Sequence, residues 1–269
     1  IMVEKDGKLI RRFFWDTKAD SEEYSAFLHQ FLDALMPELE KLGVKDRTFF
    51  HISDEPNKDH LESYRAAFNV VKDQLKDVKH IDALSDFDFY HENLVEYPIP
   101  ANNHIEPFLE AKIDNLWTYY CTSQAKDVSN RFLAMPGART RILGVQLFKY
   151  DIVGFLHWGY NFYNSQYSRH GIDPFKVSDA AGAFHAGDPY LVYPGKDFKP
   201  RPSLRLKLMA EAFQDLRALQ ALAEKTSKED VMELVEGSLA EPLTFSHYPM
   251  TADYLLGLRL KVNEALRNA

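Results

Sequence analysis

Phe49-Phe50-His51-Ile52-Ser53-Asp54-Glu55-Pro56 is an apolar, β-prone run that ends in two adjacent carboxylates and a proline. Pro56 cannot donate to a sheet ladder and drives Glu55 towards extended geometry, so the strand should stop here. Beyond it, Asn57 to Leu61 opens a helical pattern with Leu61, Tyr64, Phe68 and Val71 on one stripe. Asp54 and Glu55 are therefore expected at the C-terminal end of a strand, just before a helix. In a parallel α/β barrel that rim collects catalytic residues, because its loops build the pocket. The same spacing also admits a plainer reading, with Asp54 as a helix N-cap and Glu55 as a solvated loop residue.

Working outward, the alternation of strands and helices repeats. Towards the N-terminus, Val3 to Ile10 reads as a hairpin turning at Asp6-Gly7. Ser21 opens a helix with Phe27, Phe31, Leu35 and Leu39 every four residues, and Gly43 stops it. Arg47 to Ser53 is the first barrel-type strand, and its helix runs from about Lys58 to Leu75. Strands follow at Lys79–Leu84, Asn93–Pro100, Asn115–Cys121 and Ile152–Trp158, with helices at Ile105–Ala111 and Arg139–Tyr150. Gly159 to Pro202 is a long irregular segment, of a length that usually carries function. Ser203 caps a helix to Leu222 with Leu204, Leu208, Phe213, Leu216 and Leu219 inward, and helices at Lys228–Glu236 and Ala252–Ala265 close the chain.

Strands alternating with helices imply right-handed parallel βαβ units. The expected fold is α/β, a (β/α)8 TIM-type barrel of which five strands and the trailing helices are present, or else an open sheet. On this reading residues 1–225 form the barrel part and 226–269 a helical extension packed on it.

Composition narrows the function. The 269 residues are 45% hydrophobic and 27% charged, which suits a folded chain with a sizeable core. A net charge of -8 without a basic stripe argues against nucleic acid or an anionic membrane as partner. No run reaches the length of a membrane span, and Ile1 to Gly7 does not read as a signal peptide. Cys121 is the single cysteine, so an intrachain disulfide and a thiolate cluster are both excluded. No residue assigns a compartment. The histidines His51, His60, His91, His104, His157, His170 and His185 show no HxxxH or HxH spacing, so neither a metal nor another cofactor is expected. GxGxxG, P-loop and GxSxG patterns are missing.

The carboxylate pair suits glycoside chemistry, which needs an acid on the leaving oxygen and a stabiliser for the oxocarbenium-like centre. Adjacent carboxylates suit a substrate-assisted form, in which the sugar's own 2-acetamido oxygen is the nucleophile. Glu55 would be the acid/base, raised in pKa by burial and by its neighbour, and Asp54 would hold the acetamido N–H. His157-Trp158-Gly159-Tyr160-Asn161 ends the fifth strand, and Trp117, Tyr119 and Tyr120 end the fourth, so rings and donors are expected on the same rim. Alternation directs about half of these rings into the core instead.

These stretches carry a resemblance. His51 to Pro56, Tyr97-Pro98-Ile99-Pro100, Leu116 to Tyr119, Gly154 to Asn161, Asp188-Pro189 to Gly195 and Pro202 to Arg205 occur in the order found in glycoside hydrolase family 123. The sequence resembles that family from about Phe13 to Leu219. The resemblance implies a β-sandwich ahead of a (β/α)8 barrel, and exo-acting, retaining removal of β-linked N-acetylgalactosamine. It implies Asp54 as the acetamido-orienting acid and Glu55 as the acid/base. Tyr119, Trp158, Tyr160 and Asn161 fall where the family lines its sugar pocket, and His51, Trp117 and His157 complete the expected sugar-binding set. The sandwich and the first barrel strands have no counterpart in this sequence, so they are expected in a longer protein. Two alternatives remain open: a β-glycosidase for another sugar, and a catalytically silent carbohydrate-binding relative.

Overall fold

Asp6 and Gly7, with φ of 53° and 72°, turn the chain between β1 (Met2–Lys5) and β2 (Lys8–Arg11), which pair antiparallel as expected from the sequence. The structure, a computed structural model, describes residues 1–269 and divides between Ile99 and Pro100 into two units.

In the first unit, α1 (Glu22–Lys41) ends at Gly43, whose φ of 66° is the left-handed stop that the sequence announced. Its inward face differs from expectation. Leu32 is buried, with Leu28 and Met36 beside it against Val71, Leu75 and Val78, while Phe31 is half exposed. The strand expected over Arg47–Ser53 shrinks to β3 (Phe49–Phe50), which pairs parallel with β4 (Lys79–Leu84). A 3-10 turn at Lys58–His60 leads into α2 (Leu61–Val71), and Tyr64 and Val71 from the expected stripe are buried. After α3 (Asp88–His91), a short helix without a sequence signal, β5 (Tyr97–Pro100) completes a sheet of order β3-β4-β5.

The second unit starts with α4 (Glu106–Glu110) and β6 (Trp117–Tyr119). The helix expected over Arg139–Tyr150 is broken into α5 (Gly137–Arg141) and α6 (Leu143–Lys149). β7 (Gly154–Leu156) pairs parallel with β6, Trp117 opposite Gly154 and Tyr119 opposite Leu156. Within the irregular segment a small antiparallel hairpin forms from β8 (Val192–Pro194) and β9 (Pro200–Pro202). Ser203 accepts from the Leu206 N–H at 3.2 Å to cap α7 (Leu204–Lys225), and α8 (Lys228–Glu236) and α9 (Ala252–Asn268) follow. The face of α7 is rotated from expectation: Arg205, Met209, Ala212, Asp215, Leu219 and Leu222 are buried, and Leu204 is 74% exposed.

The class is mixed α/β. The sheets are small and open, one of three strands and three of two, so the five-strand part of a TIM-type barrel expected from the sequence is not seen. The parallel strands hold only two to six residues each, and β5 ends at Pro100.

Candidate active site

The expected site residues fall into two groups, one in each unit. In the first unit everything turns on Asp82, fully buried in the middle of β4. Its carboxylate accepts the backbone N–H of Ile52 at 3.1 Å and of Ser53 at 3.3 Å, and the hydroxyl of Tyr64. His51 Nδ1 lies 3.3 Å from the same carboxylate. A charge buried in an apolar strand is stable only with partners of this kind. Asp82 thus ties β4, α2 and the segment beyond β3 together. It also holds the His51 imidazolium, so the His51 pKa is raised, through the Asp82 hydrogen bond above all and against partial burial. His80, two residues before Asp82, is buried and shifted the other way by desolvation.

That network carries Asp54 and Glu55. The Glu55 N–H donates to the Ala83 carbonyl at 3.0 Å, which locks the turn to β4. Glu55 has a φ of 44°, not the extended geometry that a following proline favours. A non-glycine residue in the left-handed region is strained, and the bond to Ala83 and the buried Pro56 hold it there. Both carboxylates are exposed, where the sequence reading expected Glu55 to be buried. The helix N-cap is not Asp54 but Asn57, whose side chain accepts from Asp59 N at 3.0 Å. Asp54 is therefore not spent on capping.

In the second unit His157 and Trp158 lie just past the C-terminal end of β7 and share one anchor, Asp188, which is fully buried. His157 Nε2 lies 3.1 Å from Asp188 Oδ1, and Trp158 Nε1 donates to Oδ2 at 2.9 Å. His157 Nδ1 accepts from Gly159 N at 2.9 Å and from Arg131 Nη2 at 2.7 Å. Two donors on Nδ1 put the ring proton on Nε2, so a neutral His157 donates to Asp188. Burial pushes the His157 pKa down to about 4; the Asp188 bond opposes that, and the Arg131 charge reinforces it. Arg131 is itself buried, and donates also to the Gly159 and Asp188 carbonyls. Its pKa is lowered to about 10 by desolvation.

The result is a fixed indole. Trp158 is 44% exposed, with Phe162 and Phe184 packed on it at 5.3 and 5.0 Å between centroids. Tyr160 and Asn161 are exposed beside it in sequence, and the Tyr160 carbonyl is held by Leu191 N at 2.8 Å. The remaining two expected residues are placed differently. Tyr119 is buried at the end of β6. Trp117 sits at the opposite, N-terminal end of that strand, lying across Gly154, where a Cβ would come within 2.0 Å of its ring. Sequence reasoning missed Asp82 and Arg131 altogether and assigned no role to Asp188. The available signal was a charged residue inside the apolar run His80-Ile81-Asp82-Ala83-Leu84. No group of three or more His, Cys, Asp or Glu side chains is arranged to hold a metal.

Adjacent carboxylates past one parallel strand, and an anchored, exposed indole past another, are groups that sugar-handling α/β domains use. The chain belongs to the glycoside hydrolase 123 catalytic-domain family, whose pattern it matches over residues 1–222. A family 123 glycoside hydrolase from Clostridium perfringens, studied for glycolipid glycan hydrolysis, is similar in fold, with a TM-score of 0.65 at 18% identity. The likeness covers 97% of this chain and 46% of that one, so this chain spans about half of its length. No curated protein matches the sequence.

Proposed function

We propose that this chain carries the catalytic carboxylates of a retaining exo-glycoside hydrolase that removes terminal β-linked N-acetylhexosamine, N-acetylgalactosamine first. The observation that carries this reading is the Asp54–Glu55 pair, adjacent, exposed and braced by Asp82 and Ala83 within a chain of family 123. The 2-acetamido oxygen attacks the anomeric carbon while Glu55 gives its proton to the departing glycosidic oxygen. Asp54 accepts the acetamido N–H and steadies the positive oxazolinium ion. Water then opens that ring, its proton going to Glu55, and the sugar leaves with its configuration retained. In the first unit His51 is a polar group beside Asp54; in the second unit Trp158 and Tyr160 offer exposed rings for a pyranose, with Asn161 next in sequence. Glycolipid glycans are one source of substrate, by analogy with the Clostridium perfringens protein.

The test is turnover of aryl β-N-acetylgalactosaminides and β-N-acetylglucosaminides, with and without the matching thiazoline, which mimics the oxazoline intermediate. Glu55→Gln is expected to cut turnover of substrates with poor leaving groups by about 10²- to 10⁴-fold and to spare activated aryl glycosides. Asp54→Asn should lower both by about 10²-fold or more. Equal losses on both substrate types in Glu55→Gln would remove it as the acid. Thiazoline-insensitive turnover would favour another sugar, and sugar binding without turnover would favour a silent relative.

A further inference from the structure

The irregular segment between β7 and α7 builds a second concavity that the proposed reaction does not use. It is a cleft of about 400 Å³ lined by Leu133, Pro174, Phe175, Lys176, Ser178, Tyr193 and Arg201. Phe175 is 60% exposed, and its ring lies 5.1 Å from that of Tyr193, tilted by 33°. Exposed rings are common on this chain, and what sets Phe175 apart is that it lines a cleft beside a second ring. The pair is also braced from behind. Tyr193 packs edge-on against the fully buried Tyr190 at 5.2 Å, and the Tyr190 hydroxyl donates to the Pro174 carbonyl at 2.6 Å. Phe175 follows Pro174 directly, so both rings are mounted on one buried tyrosine.

The charge around this platform is positive. Arg201, on β9, and Lys176 line the cleft; Lys176 makes one exposed pair with Asp173 at 3.7 Å. A third cation, Arg205, is buried close to Leu133 and donates from Nη1 to the Gly187 carbonyl. Arg205 is 6% exposed, faces the Tyr190 ring at 5.9 Å, and has its pKa lowered by burial, against the opposing pull of Tyr193 and Asp188. The missing Cβ of Gly187, whose φ is 92°, is what makes room for it. A methyl there would stand 3.0 Å from both Arg205 Cζ and Leu133 Cγ. Two cations on the wall of one cleft stand out in a chain of net charge -8.

We propose that this cleft is a separate subsite for an anionic saccharide unit, one bearing a carboxylate or a sulfate. Its ring would stack on Phe175 and Tyr193, and its anionic group would face Arg201 and Lys176 over the field of Arg205. Guanidinium groups pair with planar carboxylates and with sulfates through two N–H donors, and an aromatic face supplies the apolar contact. The cleft would thus read a residue of the glycan other than the terminal sugar that is cleaved. The inference rests on the carbohydrate role proposed above.

The experiment is calorimetric or NMR titration of the 269-residue chain with three probes. These are chondroitin 4-sulfate tetrasaccharide, its unsulfated counterpart that keeps the carboxylates, and neutral chitotetraose. Anionic probes are expected to bind at least about tenfold more tightly than the neutral one, with an affinity that falls as salt is raised. Preference for the sulfated over the unsulfated probe would name sulfate as the anion, and equal binding would name the carboxylate. Phe175→Ala and Arg201→Ala, both at exposed positions, should each weaken binding about fivefold or more, and Arg201→Lys should recover part of it. Equal affinity for all three probes, no binding, or variants that bind like the parent would overturn the proposal. Glu55→Gln should leave this binding unchanged, and Phe175→Ala should leave aryl glycoside turnover unchanged, so either claim can fail alone.

Discussion

His157 shows how a single buried proton fixes a surface ring. Both of its nitrogens are used, Nδ1 accepting from Gly159 and Arg131 and Nε2 donating to Asp188, which in turn holds the Trp158 indole. Protonating Nδ1 would bring a charge against the Arg131 guanidinium, so the neutral form is part of the fold. The pKa falls from the usual 6.5 to about 4, so the unfolded chain binds a proton before the folded one does. Stability from this group is complete above about pH 6.5 and is lost as pH falls towards 4, by up to about 3 kcal/mol. His80 is shifted in the same direction, and His51, raised by Asp82, in the opposite one, contributing stability at lower pH that is lost as pH rises through its folded pKa. Comparing variants isolates the His157 share. His157→Gln can still donate to Asp188, and its melting temperature should fall less between pH 6.5 and 4 than that of the parent chain. Parallel slopes in thermal melts would show that His157 takes up its proton as readily in the fold as in the unfolded chain.

At the scale of elements, close approach decides more than hydrophobicity does. Helices α6 and α7 cross where Gly144 faces Ala212, and a Cβ on Gly144 would stand 1.8 Å from the Ala212 carbonyl oxygen. Backbone cannot yield as a side-chain tip does, so Gly144→Ala should force the helices apart. We expect a loss of about 3 kcal/mol or more, read as a lower midpoint in urea at unchanged slope. A midpoint within about 0.5 kcal/mol of the parent would mean that the crossing is loose. The same kind of contact explains what could be read from the sequence. Lys79–Leu84 and Lys228–Glu236 form with the boundaries expected, because pattern and caps agree there. The face of α7 could not be read, because two of its buried positions are Arg205 and Asp215, which pattern reading assigns to solvent. Strand β3 was overestimated because the N–H groups of Ile52 and Ser53, counted as ladder donors, bond to the Asp82 side chain instead. At the candidate site Asp54, Glu55 and Trp158 stood out by their chemistry. Asp82, Arg131 and Asp188 act through distant partners that only the fold brings near.

At the scale of the molecule, the family match stops at residue 222, but the core of the second unit does not. Val231 and Val235 on α8 and Leu255, Leu258 and Val262 on α9 are buried together with Ile142, Val145, Leu219 and Leu222. A charged clasp closes the same interface. Asp215, 4% exposed, accepts Arg141 Nε at 2.6 Å and Arg259 Nη1 at 2.7 Å, so α5, α7 and α9 meet on one carboxylate. Removing one partner of such a buried group leaves the rest short of compensation. Five aliphatic side chains at about 2 kcal/mol each come to on the order of 10 kcal/mol, as much as a whole domain's net stability. The last two helices are therefore integral to the second unit, although they lie beyond the matched family segment. A chain ending at Lys225 should lose the cooperative melt of that unit, bind a hydrophobic dye, and with it lose the fixed Trp158 environment seen in near-ultraviolet dichroism. If the shortened chain kept a sharp melt and the tryptophan signal, the helices would be an appendage, and the core of residues 100–225 would have to be sufficient alone.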